Sequence, residues 1–235
     1  MSAGGAAAVA FLWVESRSAN PMMPPGLFAE RTFSAANLMT LLVYAALGAI
    51  LFFLILQLQT VAGYGALRAG VATLPITVCM LFLAARGGAL AARIGPRIPM
   101  TFGPLVMGGG TLLLRSVGPD TSYWRDVLPG LTLFGLGLAL MVAPLTATVL
   151  AAAPDSRAGI ASGINNAVAR AGSLFAVAAL PMAVGLGGDG YADPGALDSA
   201  YRAALLACAA LLALGGAVSW LTIRSPWVGI RPNPW

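Results

Sequence analysis

The chain has 235 residues, 59% of them hydrophobic and only 9% charged, about a third of the charge an average soluble domain carries, so a water-soluble globule is excluded. A net charge of +5 comes from thirteen arginines and eight carboxylates, without lysine or histidine. The arginines stand singly or in threes between apolar runs, not clustered with aromatic platforms, which argues against nucleic-acid binding and makes them topology signals.

Met1–Val14 is apolar and small, lacks a preceding basic region and is too short to span, so it reads as the tail of an earlier span. Residues 1–37 are assigned as that remnant plus a cytoplasmic linker, 38–223 as a membrane bundle and 224–235 as a cytoplasmic tail. Span A, Leu38–Leu58, is a run of 21 residues without a charge, long enough at about 1.5 Å per residue to cross the hydrocarbon core. The further runs are Ala69–Ala85 (B), Ile98–Leu114 (C), Val127–Ala147 (D), Ala158–Val184 (E) and Ala203–Ile223 (F). The expected fold is all-α: a polytopic bundle of six transmembrane helices.

An even count puts both termini on one side. One set of loops holds Arg17, Arg31, Arg86, Arg93, Arg97, Arg157, Arg224 and Arg231; the other holds Arg68, Arg115, Arg125 and Arg202. The positive-inside rule makes the first set, and both termini, cytoplasmic. Gly185–Ala200, rich in Gly and Asp with Pro194, reads as a solvated outer loop. Cys79 and Cys208 lie in apolar runs far from any metal-like spacing, and without histidine no metal or cofactor site is expected. Pro75, Pro129, Pro144 and Pro181 mark breaks or kinks whose freed carbonyls can line a pathway.

Polar side chains in hydrocarbon must face protein or water. Spans C and F carry few and read as peripheral; A, with Thr40, Tyr44 and Gln57, reads as central together with D and E. Span E bears two stripes. Gly159, Gly163, Ala167 and Ala171 form a small-residue groove that admits a neighbouring helix, so Gly159 and Gly163 are read as packing residues. Ser162, Asn166 and Arg170 run along the adjacent edge, with Asn165 about 100° round from Asn166. Arg170 lies roughly 18 Å along the axis from Ala158, a placement that costs about 3 kcal/mol or more. It snorkels or satisfies backbone carbonyls in a tight interface, or else faces a polar cavity where it attracts an anion or pairs with a carboxylate.

All eight carboxylates fall in loops or flanks, so these spans contain no titrating group at mid-depth. A proton relay would need a carboxylate from a second polypeptide or a missing half. An intramembrane serine protease of the rhomboid kind is excluded: Ile160-Ala161-Ser162-Gly163 lacks the first glycine of Gly-x-Ser-Gly, and no histidine exists to take the serine's proton.

Three stretches together resemble the major facilitator superfamily, specifically the C-terminal six spans of the fourteen-span EmrB/QacA-type drug:proton antiporters. Gln57-Leu-Gln-Thr-Val-Ala-Gly-Tyr-Gly-Ala-Leu-Arg-Ala-Gly70, with Leu74-Pro75, is similar to that family's Leu-Gln-x-x-x-Gly-Tyr-Ser-Pro-Leu-x-Ala-Gly and following Leu-Pro. Gly88, Arg93, Gly95 and Arg97 match the superfamily's loop Gly-x-Leu-Ala-Asp-Arg-x-Gly-Arg-Arg, with Ala92 where the acidic residue is expected. The third stretch runs from Pro129, Gly130, Gly135, Gly137 and Pro144 to Pro154, Gly159, Gly163, Asn166, Arg170 and Gly172.

The resemblance implies alternating access between two six-helix bundles, each built of inverted three-helix repeats. A and D would line the cavity, B and E would meet the other bundle, and C and F would face lipid. The expected function is one half of a bacterial inner-membrane multidrug efflux transporter, exchanging a small apolar or cationic compound for protons. Asn165, Asn166 and Arg170 are its candidate pathway or bundle-interface residues, with Tyr44 and Gln57 as cavity candidates. The expected partners are the lipid bilayer and an N-terminal half in the same or another chain. The alternative is a six-span protein without transport activity that acts only by binding partner helices.

Overall fold

The computed structural model describes residues 26–223; the Met1–Val14 remnant, the 224–235 tail and Arg17, Arg224 and Arg231 lie outside them. Six long helices cover the six expected spans: α1 Arg31–Leu56, α2 Leu74–Ile94, α3 Arg97–Leu113, α4 Leu128–Ala151, α5 Ala158–Ala183 and α6 Pro194–Thr222.

Several ends depart from the hydropathy boundaries for local reasons. α1 starts seven residues before Leu38, because Glu30 caps it by accepting from the Thr32 N–H at 3.4 Å. Inside α1, Asn37 Nδ2 donates to Phe33 O and Thr40 Oγ1 to Ala36 O, both at 2.9 Å, which keeps these polar groups satisfied in an apolar helix. α1 then widens into a π turn, Gln57–Val61, and the chain reverses at Gly63, whose φ of +68° suits glycine. A short helix, Ala66–Ala72, leads to α2, and Pro75 sits in the first turn of α2, where its missing N–H costs nothing. Pro129 likewise opens α4, whereas Pro144 and Pro181 lie inside α4 and α5.

α6 begins at Pro194, nine residues before the expected Ala203, with Asp193 accepting from the Gly195 N–H at 2.9 Å. Hydropathy truncates it because Asp198 and Arg202 look like loop charges; they are an i,i+4 ion pair at 2.9 Å within the first three turns. The loop expected over Gly185–Ala200 is thus half helix.

Five of these elements are long and apolar enough to cross a membrane by length and composition. α3, at 17 residues about 26 Å long, is the short one. The contacts fix its direction. Gly135 of α4 lies against Cys79 of α2 while Gly87 lies against Ala139, so α2 and α4 run parallel and α3 must return between them. Gly103 and Gly110 of α3 meet Gly137 and Gly130 of α4 in the antiparallel sense. α5 runs parallel to α1, with Gly172 at Leu41 and Ser173 at Gly48, and α6 runs antiparallel to both α1 and α3. Six alternating crossings result.

The neighbour pairs with extensive contact are α1–α5, α1–α6, α2–α4, α3–α4 and α3–α6. Exchanging α1 with α4, α2 with α5 and α3 with α6 maps this set onto itself, with every direction reversed. That is the signature of two inverted three-helix repeats. The apolar core lies between α1, α3, α4 and α6, around Phe33, Met39, Phe53, Met107, Phe134 and Leu212.

This network corrects one expectation. Span E (α5) is not central in this bundle: it and α2 flank it, their most apolar windows only 11% and 17% buried, against 56% for α4. Polarity misplaced it because its polar edge turns away from the core. α3 and α6 expose Phe102, Leu105, Leu206 and Leu221 on one side, but the other side of each fills the core.

Candidate functional site

Among the described residues, Arg31, Arg86, Arg93, Arg97 and Arg157 lie towards one end of the bundle and Arg68, Arg115, Arg125 and Arg202 towards the other. At one end Arg97 Nε donates to Trp220 O at 2.9 Å, and its guanidinium lies 4.1 Å from the Trp220 ring centre, so this arginine of the loop motif ties α3 to the end of α6. Gly95, with φ +84°, ends α2 where a side chain would be strained, and Gly88 faces Ala143 of α4 at close packing distance. Arg93 is exposed.

At the other end Gln57 is fully buried. Its Nε2 donates to Asp198 Oδ1 at 2.6 Å and to Val117 O at 3.0 Å. Arg202 holds the other Asp198 oxygen and donates to Arg115 O, and the Tyr201 hydroxyl donates to Leu114 O at 2.7 Å. Gln57 therefore does not face an open cavity; it clamps α1 to α6 and to the end of α3. Its carboxylate partner lies 141 residues away in sequence, beyond the reach of any local pattern.

Between the ends, α1 and α5 form the polar seam. Asn165 Nδ2 donates to Thr40 Oγ1 at 2.7 Å and to Asn37 Oδ1 at 3.2 Å. Asn37 falls in the expected linker by hydropathy, yet its spacing of three from Thr40 and seven from Tyr44 places all three on one helical face, the sequence signal that marks it. Tyr44 is half-buried one turn further along α1.

One turn of α5 divides the remaining candidates. Asn166 is exposed, its Nδ2 returned to Ser162 O at 3.0 Å. Arg170 is exposed and belongs to neither of the ion pairs found among the described residues, Arg125–Asp126 and Arg202–Asp198. Gly159 and Gly163 share that open side: a Cβ added to either meets nothing within 4 Å. They are not packing residues of this bundle. Close helix approach is carried instead by Gly172, whose added Cβ would lie 2.8 Å from Leu41 O, and by Gly48 against Ser173. Asn165 thus joins the bundle internally, while Asn166, Arg170, Gly159 and Gly163 form an outward strip that combines a cation, an amide and missing side chains.

Residues 2–177 match the family model described as Major Facilitator Superfamily, and the chain belongs to that family. It is 35% identical over 170 residues to the multidrug resistance protein Stp of Mycobacterium tuberculosis, covering 72% of this chain and 31% of that protein. It is 31% identical over 232 residues to the puromycin resistance protein pur8 of Streptomyces alboniger, covering 92% of this chain and 46% of that one. The cephamycin export protein CmcT of Amycolatopsis lactamdurans is 31% identical over 214 residues, with 90% and 44% covered. The chain spans between about a third and a half of the length of these relatives. It is a multi-pass membrane protein of a transporter family.

Proposed function

We propose that the chain acts as the C-terminal half of a drug efflux transporter that exchanges a small apolar or cationic compound for protons by alternating access. The observation that carries this reading is the outward strip of α5. A mid-depth arginine, exposed on a helix of a membrane bundle, costs about 3 kcal/mol or more unless protein or water covers it, and the bare glycines beside it fit a helix of another bundle. A second six-helix bundle covering α2 and α5 satisfies both. In this reading Arg170 and Asn166 sit at the bundle interface or the pathway, Asn165 and Tyr44 support the pathway wall from behind, and the second bundle supplies the proton-carrying carboxylate. The relatives' names, with their drug resistance and export, support the substrate class.

The test is reconstitution in proteoliposomes of this chain alone and of this chain joined to a second six-span bundle of the family. The joined protein is expected to move ethidium when a pH gradient is imposed, and the single chain to bind or transport none. Transport by the single chain, or absence of transport by a well-folded joined protein, overturns the reading.

A further inference from the structure

An apolar groove of about 320 Å³ lies on the flank of the bundle between α2 and α3, floored by α4. Glycines create it. Gly87 seats α2 directly on the α4 backbone, its added Cβ only 2.4 Å from Ala139 O, and Gly103 and Gly110 seat α3 on the same helix. Both helices are drawn onto α4 and make little contact with each other. Leu83 and Leu90 of α2, Val106 of α3, and Leu136 and Leu140 of α4 line the space, with Arg86 as the charged residue of the lining. Leu90 and Leu136 are each 40% exposed, so the groove is open to the outside.

Arg86 lies eight residues before the end of α2 at Ile94, about 12 Å, within reach of the headgroup level by snorkelling. Arg93 follows seven residues on, on the same helical face about 10 Å further along the axis. Both are exposed, and neither joins an ion pair among the described residues. Glu30, a carboxylate at this end, lines a different cleft with Ala91 and Gly95. A slot with greasy walls that carries Arg86 in its lining, with Arg93 further along the same face of α2 and neither guanidinium in an ion pair among the described residues, has the chemistry of an amphiphile site with an anionic head.

We propose that this groove holds an acyl chain of an anionic phospholipid from the leaflet at the arginine-rich end, with its phosphate paired to Arg86 and Arg93. The lipid fills the space between α2 and α3 and braces α2, the most loosely held helix of its repeat. A zwitterionic lipid fits the walls equally well but brings its own cation to the two guanidiniums, so the headgroup sets the preference.

The test uses the whole chain purified in detergent, with phosphatidylglycerol and phosphatidylcholine of identical acyl chains added in equal amounts and retained lipid counted by native mass spectrometry. Phosphatidylglycerol is expected to be favoured by about fivefold for each arginine engaged. Arg86→Gln lowers the preference by about that factor, and the double variant with Arg93→Gln brings it to parity. Arg68→Gln, at the opposite end, leaves it unchanged, and Leu136→Trp, which fills the floor, reduces retention of both lipids. Soluble glycerol phosphate does not compete, because the chain in the groove is part of the site. Equal retention of the two lipids by the unsubstituted protein overturns the proposal without requiring any variant to fold; so does a preference that survives the double substitution, or displacement by glycerol phosphate.

Discussion

Two glycines on α5, nine residues apart, should respond in opposite ways to an added methyl group. At Gly172 a Cβ would sit 2.8 Å from Leu41 O, 3.2 Å from Leu41 Cδ1 and 3.4 Å from Ala45 N. The first contact is with backbone, so relief requires α1 and α5 to move apart by roughly half an ångström, an overpacking cost of about 1–3 kcal/mol. Against it stands the gain of alanine over glycine in a helix, about 1 kcal/mol. Gly172→Ala is therefore expected to destabilise the bundle by about 1 kcal/mol, and Gly172→Leu by about 3 kcal/mol or more, since the larger side chain cannot be relieved by so small a shift. At Gly163 the added atom meets nothing, only the propensity gain remains, and Gly163→Ala should be neutral or stabilising by up to about 1 kcal/mol. Equilibrium unfolding in mixed dodecyl maltoside and dodecyl sulfate micelles, followed by circular dichroism, separates the two. If Gly163→Leu destabilises the isolated chain as much as Gly172→Leu, the assignment of the outward strip is wrong.

Three further outcomes follow from the contacts. Gln57→Leu leaves Val117 O and one Asp198 oxygen without their buried donor and should cost about 1–3 kcal/mol in the same assay, whereas Gln57→Glu, which sets a second carboxylate against Asp198, should cost more; equal stability of all three proteins would refute the clamp. Asn165→Leu and Thr40→Val should couple in a double-mutant cycle by about 0.6–1.7 kcal/mol, the range for hydrogen bonds between membrane helices, and additivity would contradict the seam. Arg97→Gln should alter the emission of Trp220, with Trp220→Phe identifying the signal, at a cost of about 0.5–1 kcal/mol for the lost stacking; an unchanged spectrum would contradict it.

The six helices were legible because hydrocarbon imposes a long apolar run on anything that crosses it. The ends were less so: Asp198 and Arg202 were assigned to a loop because hydropathy counts charges singly and cannot see that they neutralise each other one turn apart. The strip of α5 was visible as residue spacing, but which neighbour each stripe faces is decided by α1, whose Leu41 and Gly48 pick Gly172 and Ser173 as the close contact and leave Gly159 and Gly163 outside. Asn165 and Asn166 are adjacent in sequence and indistinguishable in type; 100° of helical rotation makes one a strut and leaves the other on the open face. The partners of Gln57 come from elements 60 and 141 residues away, a separation no local pattern encodes.

If the open face of α5 works against a second bundle during drug export, efflux from cells that carry this chain joined to a second six-span bundle of the family depends on Arg170. Ethidium release is measured by fluorescence for the unsubstituted protein, Arg170→Lys and Arg170→Ala, each present at equal amount in the membrane. Arg170→Ala is expected to abolish release while Arg170→Lys retains part of it, because the position requires a cation. Undiminished release by Arg170→Ala would contradict the account and leave Arg170 as a snorkelling residue at a packed surface.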